Sequence, residues 1–207
     1  MSVLQPVPAF DLAASEAQLL VYRAWLKDHP YAAEKRVLEM IKSLPALCPL
    51  IGMYDGRKYP ASQKWEFQIQ GVVRADFVAG SSLTGEFVFV EFEGAEAHSI
   101  FGPSGTNQMR NWGNQIQHGF SQIADWSWAK NESQHSRIYQ STLGVVESTE
   151  SYVLVCGRDS SFIDYERSRL FWRHTKTAMA GCRVLFQTYD DLAEHFESVL
   201  VFARSMR

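Results

Sequence analysis

The chain has 207 residues, of which 46% are hydrophobic and 13% aromatic, and its formal net charge of −3 lacks the overall basic footprint typical of nucleic-acid-binding domains. Its apolar runs are shorter than the roughly 20 residues that span a bilayer. Its three cysteines have no C-x-x-C spacing, which argues against both a disulfide framework and a cysteine zinc site. We therefore expect one soluble, cytoplasmic domain over residues 1–207, with no membrane partner.

The first 50 residues are predicted to form a helical N-terminal lead. Apolar residues recur at helical spacing from Ser15, a candidate N-cap, to Asp28, and again over residues 32–44. A proline follows each segment and is expected to end the helix.

Residues 64–207 are predicted to form an α/β core. Val- and Phe-rich runs with glycine-bearing turns indicate strands from Trp65 to Gly94, and residues 109–133 have the periodicity of a helix. The last third alternates strand, helix, strand and helix, which favours a central mixed sheet flanked by helices. The predicted elements of this last third are residues 151–157, 165–179, 182–187 and 188–205.

Three carboxylates lie in the predicted hairpin "RADFVAGSSLTGEFVFVEFEG". Glu91 and Glu93 are two residues apart, so both face one side of a strand, about 7 Å apart at a rise of roughly 3.3 Å per residue. A turn centred on residues 82–83 would place Asp76 opposite Phe89 and diagonal to Glu91 on that side. A register change of one residue would turn Asp76 to the other face.

Two interpretations of this acidic hairpin remain open. Carboxylates crowded into an apolar strand repel one another, and a hard cation such as Mg²⁺ or Mn²⁺ would relieve the repulsion and leave positions for a substrate phosphate. Alternatively, the hairpin lies at an edge of the sheet, where solvated glutamates protect against aggregation.

The order of motifs along the chain resembles a known superfamily. Asp76 in "RADFV", Glu91 and Glu93 in "VFVEFEG" and then "QIADW" on the next predicted helix resemble the PD-(D/E)XK nucleases that carry a downstream Q-x-x-x-Y motif. More narrowly, "RADFV…FVFVEFEGA", "YVLVCGRD" and "VLFQTYDDLAEHF" look like the Shedu family of bacterial anti-phage defence nucleases, over roughly residues 34–200.

This resemblance implies a restriction-endonuclease-like fold, a DNA substrate, and assembly into a homo-oligomer. It implies that Asp76 and Glu91 bind Mg²⁺ (or Mn²⁺), which activates a water molecule for phosphodiester hydrolysis. Gln122 matches the glutamine placed near the metal and the DNA backbone, and Trp126 matches the aromatic residue of the same motif. Such sites often include a glutamate from the preceding helix, for which Glu34 and Glu39 are both candidates.

One position departs from the superfamily pattern, because Glu93 stands where a lysine is usual. Glu93 could help to hold metal, a lysine could have migrated into the site from elsewhere, or the site could no longer cut. Lys130, on the predicted helix one turn beyond Trp126, is the candidate for migration. If cutting is lost, the chain would be a nuclease-like module that binds nucleic acid or a protein partner.

Further candidates lie on the helices that follow the hairpin. His118, on the same predicted helix as Gln122, could transfer a proton or contact phosphate. Basic residues around these helices are candidates for contacts with the DNA backbone. They are Arg110, Lys130, Arg137, Arg158, Arg167, Arg169, Arg173 and Lys176.

Overall fold

The computed structural model describes residues 3–106 and 109–206, which fold as helices on both faces of a mixed sheet. The strands are β1 (Gln5–Pro6), β2 (Ser62–Ile69), β3 (Val73–Ser81), β4 (Glu86–Phe92), β5 (Phe101–Thr106), β6 (Met109–Trp112), β7 (Thr149–Val155), β8 (Ala178–Met179) and β9 (Cys182–Gln187). The helices are α1 (Leu12–Asp28), α2 (Glu34–Lys42), α3 (Asn114–Ser133), α4 (Arg137–Leu143), α5 (Asp164–Lys176) and α6 (Tyr189–Ser205), with 3-10 segments at Cys48–Gly56 and Asp159–Ser161.

In the part of the chain just described, seven strands form the main sheet in the order β1-β2-β3-β4-β7-β9-β8. Strands β1 to β4 pair antiparallel, β4, β7 and β9 pair parallel, and β8 is antiparallel to β9. Strand β4 is therefore central, and its carboxyl end lies beside that of β7. Strands β5 and β6 form a separate hairpin between β4 and α3.

Two hydrophobic cores lie on opposite faces of the main sheet. Helices α1, α2 and α6 and the 3-10 segment Cys48–Gly56 pack on one face, around residues such as Phe77, Val90 and Phe196. Helices α3, α4 and α5 pack on the other, around residues such as Phe89 and Trp126. The predicted α/β class with a mixed sheet flanked by helices is confirmed.

Several predicted boundaries are wrong in detail. Helix α1 begins three residues before Ser15, and the side chain of Asp11 caps it by accepting from the Ala14 N–H at 3.0 Å. Residues 109–112, predicted as the start of a helix, form strand β6, which pairs with β5. The turn at Gly181 folds Ala178–Met179 back onto β9 as strand β8 rather than continuing α5. Helix α4 was not predicted.

The predicted register of the β3–β4 hairpin is also wrong. Phe89 pairs with Val78, two residues from the expected partner Asp76, because the turn runs from Ser82 to Gly85 and Gly85 takes a positive φ of 71°. A shift of two residues keeps the side chains of β4 on their predicted faces, whereas a shift of one would have reversed them.

None of the helices in the described ranges is both long and apolar enough to cross a membrane. The three cysteines are free thiols; Cys48 and Cys156 are buried and Cys182 is half-buried. This agrees with the expectation that no disulfide framework supports the fold.

Candidate active site

The two hairpin glutamates lie at the carboxyl end of the central strand. Glu91 belongs to β4 and Glu93 follows its last residue, and they are only 4% and 3% exposed. The interpretation as a solvated edge strand is therefore wrong. The odd-numbered residues of β4 face α3, as the burial of Phe89 in the core beneath that helix shows.

Asp76 joins this site from the neighbouring strand β3. Its Oδ2 accepts a hydrogen bond of 2.9 Å from the Phe92 N–H, which holds the carboxylate next to the end of β4. The strand is irregular here, because Ala75 and Phe77 pack into cores on opposite faces of the sheet. Across from this point, Glu66 of β2 has a φ of 52°. Such local distortions of a strand redirect side chains and are common beside active sites.

Helix α3 supplies the side chains that contact both glutamates. Gln122 Nε2 donates to Glu91 Oε1, and one turn earlier His118 Nδ1 lies 2.7 Å from Glu93 Oε1. Gly119 makes this close approach possible, since a Cβ at that position would lie 2.4 Å from Leu154 Cδ1 and 3.0 Å from Glu93 Cγ. The glycine thus lets the helix pack directly onto the strand end.

These residues surround an open cavity of about 410 Å³. Asp76, Glu91, Gln122 and His118 all line it, so the convergence of Asp76 and Glu91 predicted from the hairpin is present. Glu93 does not line it but lies behind His118. The other lining residues are Glu34, Val72, Val73, Arg74, Asp125 and Trp126.

Of the two glutamates considered on α2, Glu34 lines the cavity and Glu39 does not. Trp126, the aromatic residue of the matched helix motif, is buried and packs near Tyr152 as well as forming part of the cavity wall. It supports the site from the core side.

The cavity has an excess of negative charge, which changes how its carboxyl groups ionise. Burial raises the pKa of Glu91 to about 10, and three neighbouring carboxylates add to the shift. Burial also raises the pKa of Asp76, although the Phe92 N–H opposes the change. The pKa of Glu93 is raised by burial and lowered by His118, with a net increase. A cation in the cavity would favour the charged forms.

Lys130, the predicted migrant lysine, does not reach this site. Its Nζ lies 2.9 Å from Oε2 of the buried Glu150, so the side chain is committed to a different cluster. The basic side chain that does line the cavity is Arg74 of β3, which is exposed and loosely paired with Glu66 at 3.4 Å. Arg74 was missed because its position in "RADFV" matched no expected role.

Several of the basic residues considered for DNA contact form ion pairs within the protein. Arg110 pairs with the fully buried Glu166 at 2.5 Å, and the buried Arg158 forms two hydrogen bonds with Asp190. Arg173 stacks over three aromatic rings, 4.5 to 5.0 Å from their centroids. These contacts give structural roles to side chains that could not be told apart from DNA ligands by sequence.

The residues of the cavity fit a hard divalent cation. Oε2 of Glu91 is buried and has no hydrogen-bond partner, and Asp76 presents a second carboxylate to the same cavity. Carboxylate oxygens are the ligands that Mg²⁺ and Mn²⁺ prefer. The described part of the chain contains no group of three or more His, Cys, Asp or Glu side chains placed to hold a metal, so the protein ligands would be these two.

Comparison with known families assigns the chain. The family described as Shedu protein SduA, C-terminal, matches residues 32–193, a span that contains the acidic hairpin and α3. The chain belongs to the Shedu family. Shedu membership confirms the narrower of the two resemblances, that to the Shedu family, and suggests a role in anti-phage defence. No curated protein matches the chain.

Proposed function

We propose that this Shedu-family chain is a metal-dependent DNA nuclease of the PD-(D/E)XK type. The observation that carries the proposal is the unpartnered Oε2 of Glu91, buried at the end of the central strand in a cavity shared with Asp76. A buried carboxylate oxygen without a donor costs about 1–3 kcal/mol. A fold retains such a cost more readily where a ligand relieves it.

In this proposal Asp76 and Glu91 are the protein ligands of Mg²⁺ or Mn²⁺. Bound there, the ion would activate water and stabilise the charge that develops on the phosphodiester. Gln122 donates to Oε1 of Glu91 and leaves Oε2 without a donor, so Oε2 is the oxygen available to the ion. Arg74, at the rim, supplies a positive charge to a substrate phosphate.

The biological setting is a further part of the proposal. The chain acts in the cytoplasm as a homo-oligomer against phage DNA, which is what the family resemblance implies. Assembly would also allow several copies to combine their exposed basic side chains, since one chain has a net negative charge.

The test is cleavage of linear, supercoiled and single-stranded DNA by the purified protein with Mg²⁺ or Mn²⁺. Asp76→Asn and Glu91→Gln should each lower cleavage by at least about 100-fold, because each removes a charged ligand of the ion. Glu86→Gln, at the opposite end of the same strand, is the matched control and should cut normally. Binding of Mn²⁺ to the protein alone, followed by electron paramagnetic resonance, should be lost in the first two variants and kept in the control.

A second candidate is a module that binds nucleic acid or a protein partner without cutting. The departure that favours it is Glu93 in place of lysine, together with the engagement of Lys130 elsewhere. DNA binding without cleavage by the wild-type protein, and with no Mn²⁺ signal, would establish this alternative and contradict the nuclease proposal.

A further inference from the structure

We infer that His118 is the general base of the proposed reaction and that Glu93 is its positioning residue. Together they would do the work for which related sites use a lysine. This inference rests on the proposed nuclease function and deepens it, since it assigns a task to the position that departs from the superfamily pattern.

Glu93 and His118 lie in different surroundings. Glu93 is 3% exposed and lies outside the cavity lining, while the His118 side chain is 67% exposed and lines the cavity. His118 Nδ1 is 2.7 Å from Glu93 Oε1. We infer that Nδ1 carries the proton of the neutral ring and donates it to the Glu93 carboxylate, in which case Nε2 is the nitrogen able to accept a proton from water.

The backbone of Glu93 is held in place by hydrogen bonds on both sides of its Cα. The Glu93 N–H donates to Val155 O at 2.9 Å, and the hydroxyl of the buried Tyr189 donates to Glu93 O at 2.5 Å. Gly119, next to His118, packs against the Glu93 side chain. Because the Glu93 backbone is fixed and its side chain is enclosed beneath α3, the carboxylate can orient the exposed imidazole ring as a buried acid does in other acid–base pairs.

A water molecule in the cavity gives one proton to His118 Nε2 while its oxygen forms a bond to phosphorus. One bridging P–O ester bond breaks, and the leaving oxygen takes a proton from solvent. The imidazolium, stabilised by the Glu93 carboxylate, then returns its proton to solvent, so that one water is consumed for each bond cut.

Neither Lys130 nor Arg74 is suited to act as the general base. Lys130 is held by Glu150 in another part of the fold, and a guanidinium such as that of Arg74 has no acceptor atom for a proton. His118 is one turn from Gln122, whose amide nitrogen lies 3.3 Å from His118 Nδ1. The histidine is thus beside the residue that contacts the proposed metal ligand.

The first test does not depend on catalysis. In the metal-free protein at alkaline pH, long-range ¹H–¹⁵N correlation spectra should show His118 with the proton on Nδ1, and Glu93→Gln should shift the ring toward the other tautomer. A proton on Nε2 in the wild-type protein would mean that a protonated Glu93 donates to Nδ1, which would overturn the inference.

The second test is cleavage by His118→Ala with and without added imidazole. Loss of a general base should lower cleavage by roughly 100-fold to 10,000-fold, and free imidazole should restore part of it. Imidazole should restore nothing in Glu93→Gln, where the ring is still present. His135→Ala, which removes an exposed histidine beyond the end of α3, is the matched control and should cut normally.

The outcomes distinguish failure of this inference from failure of the proposed nuclease function. Wild-type protein that does not cut under any condition removes both. Cleavage by His118→Ala within about twofold of wild type removes only the inference. Loss of Mn²⁺ binding in Glu93→Gln but not in His118→Ala would also overturn it, because Glu93 would then be a ligand of the ion rather than the partner of the histidine.

Discussion

Two buried glutamates in the same sheet have opposite surroundings. Glu150 of β7 is contacted by Lys130 and by the hydroxyl groups of Ser148, Tyr139 and Tyr152, so both of its oxygens have donors. Glu91 of β4 has one side-chain donor, the amide of Gln122, and its second oxygen has no partner within hydrogen-bonding distance. Its charged neighbours are carboxylates, which raise its pKa further once burial has done so.

Glu150 therefore has the surroundings of a structural glutamate, whereas Glu91 lacks a cation and a donor to its second oxygen. Inside a protein, a carboxylate is tolerated when a cation and hydrogen-bond donors surround it. The fold supplies these to Glu150 from its own side chains and leaves Glu91 beside an open cavity. We therefore expect substitutions at the two positions to have opposite effects on stability.

The largest expected effect is at the fully partnered glutamate. Glu150→Ala should destabilise the protein by about 3–5 kcal/mol, because it leaves the Lys130 ammonium and three hydroxyl groups without their acceptor. Urea denaturation gives the free energy of unfolding. An effect below about 1 kcal/mol would show that the cluster is solvated and would remove the contrast with Glu91. Cleavage at a temperature where the variant is folded should be unchanged.

The next effect is the response of the acidic cavity to metal. Mg²⁺ at about 100 times its dissociation constant should stabilise the folded protein by about 2.7 kcal/mol through binding to the native state alone. Thermal unfolding with and without the ion measures this, and Glu91→Gln should abolish the response while Glu150→Gln keeps it. An equal response in Glu91→Gln would place the ion elsewhere.

In the metal-free protein we expect a smaller change in the free energy of unfolding, opposite in sign to that of Glu150→Ala. Glu91→Gln should stabilise it by about 1–3 kcal/mol at neutral pH, since the Glu91 carboxyl, whose pKa burial raises to about 10, must take up a proton on folding and the neutral amide need not. Destabilisation of the same size would mean that the charge on Glu91 is satisfied in solution, and the comparison with Glu150 would fail.

The same group predicts a pH dependence. In the unfolded chain the Glu91 carboxyl ionises near its ordinary pKa of 4.5, whereas in the folded protein it ionises at about 10. Its contribution to stability is complete below 4.5 and is lost as pH rises through the window between these two values. Denaturation of the metal-free protein across this range should show falling stability, and Glu91→Gln should show a flatter profile.

How far the sequence could predict the site depended on whether local or distant contacts determine each feature. The period-two pattern of the hairpin predicted that Glu91 and Glu93 share a face. This prediction holds although the predicted register was wrong by two residues, because a shift of two does not change the face of a side chain. Strand order is set by long-range pairing, so the sequence could not tell a central β4 from an edge strand. Lys130 was a candidate for the site for the same reason, since its partner Glu150 is 20 residues away in the chain and the sequence does not show that they meet.

Other features were hidden because their signals were weak. The β5–β6 hairpin is rich in glycine and has short strands, so its pattern resembled a loop followed by a helix. The pairing of His118 with Glu93 could have been suggested by the one-turn spacing of His118 and Gln122 on α3, matched to the two-residue spacing of the glutamates on β4. Gly119 between them was the available sign that the helix approaches the strand closely.

The smallest expected effect compares the two cations nearest the two glutamates. Arg74 is exposed and its pairing with Glu66 is loose, so Arg74→Ala should change stability by less than about 1 kcal/mol. If Arg74 contacts a phosphate, the slope of log K against log salt for B-DNA binding should become less steep by about 0.9.

Lys130→Met is the matched comparison, because this lysine is 15% exposed and bound to Glu150. It should destabilise the protein, since the buried Glu150 side chain loses the ammonium group that contacts it, and it should leave the salt slope unchanged. A changed slope in Lys130→Met with no change in Arg74→Ala would exchange the two roles. Lys130 would then be the cation that contacts DNA. The acidic cavity would have no arginine that attracts a substrate phosphate, and its carboxylates would repel DNA.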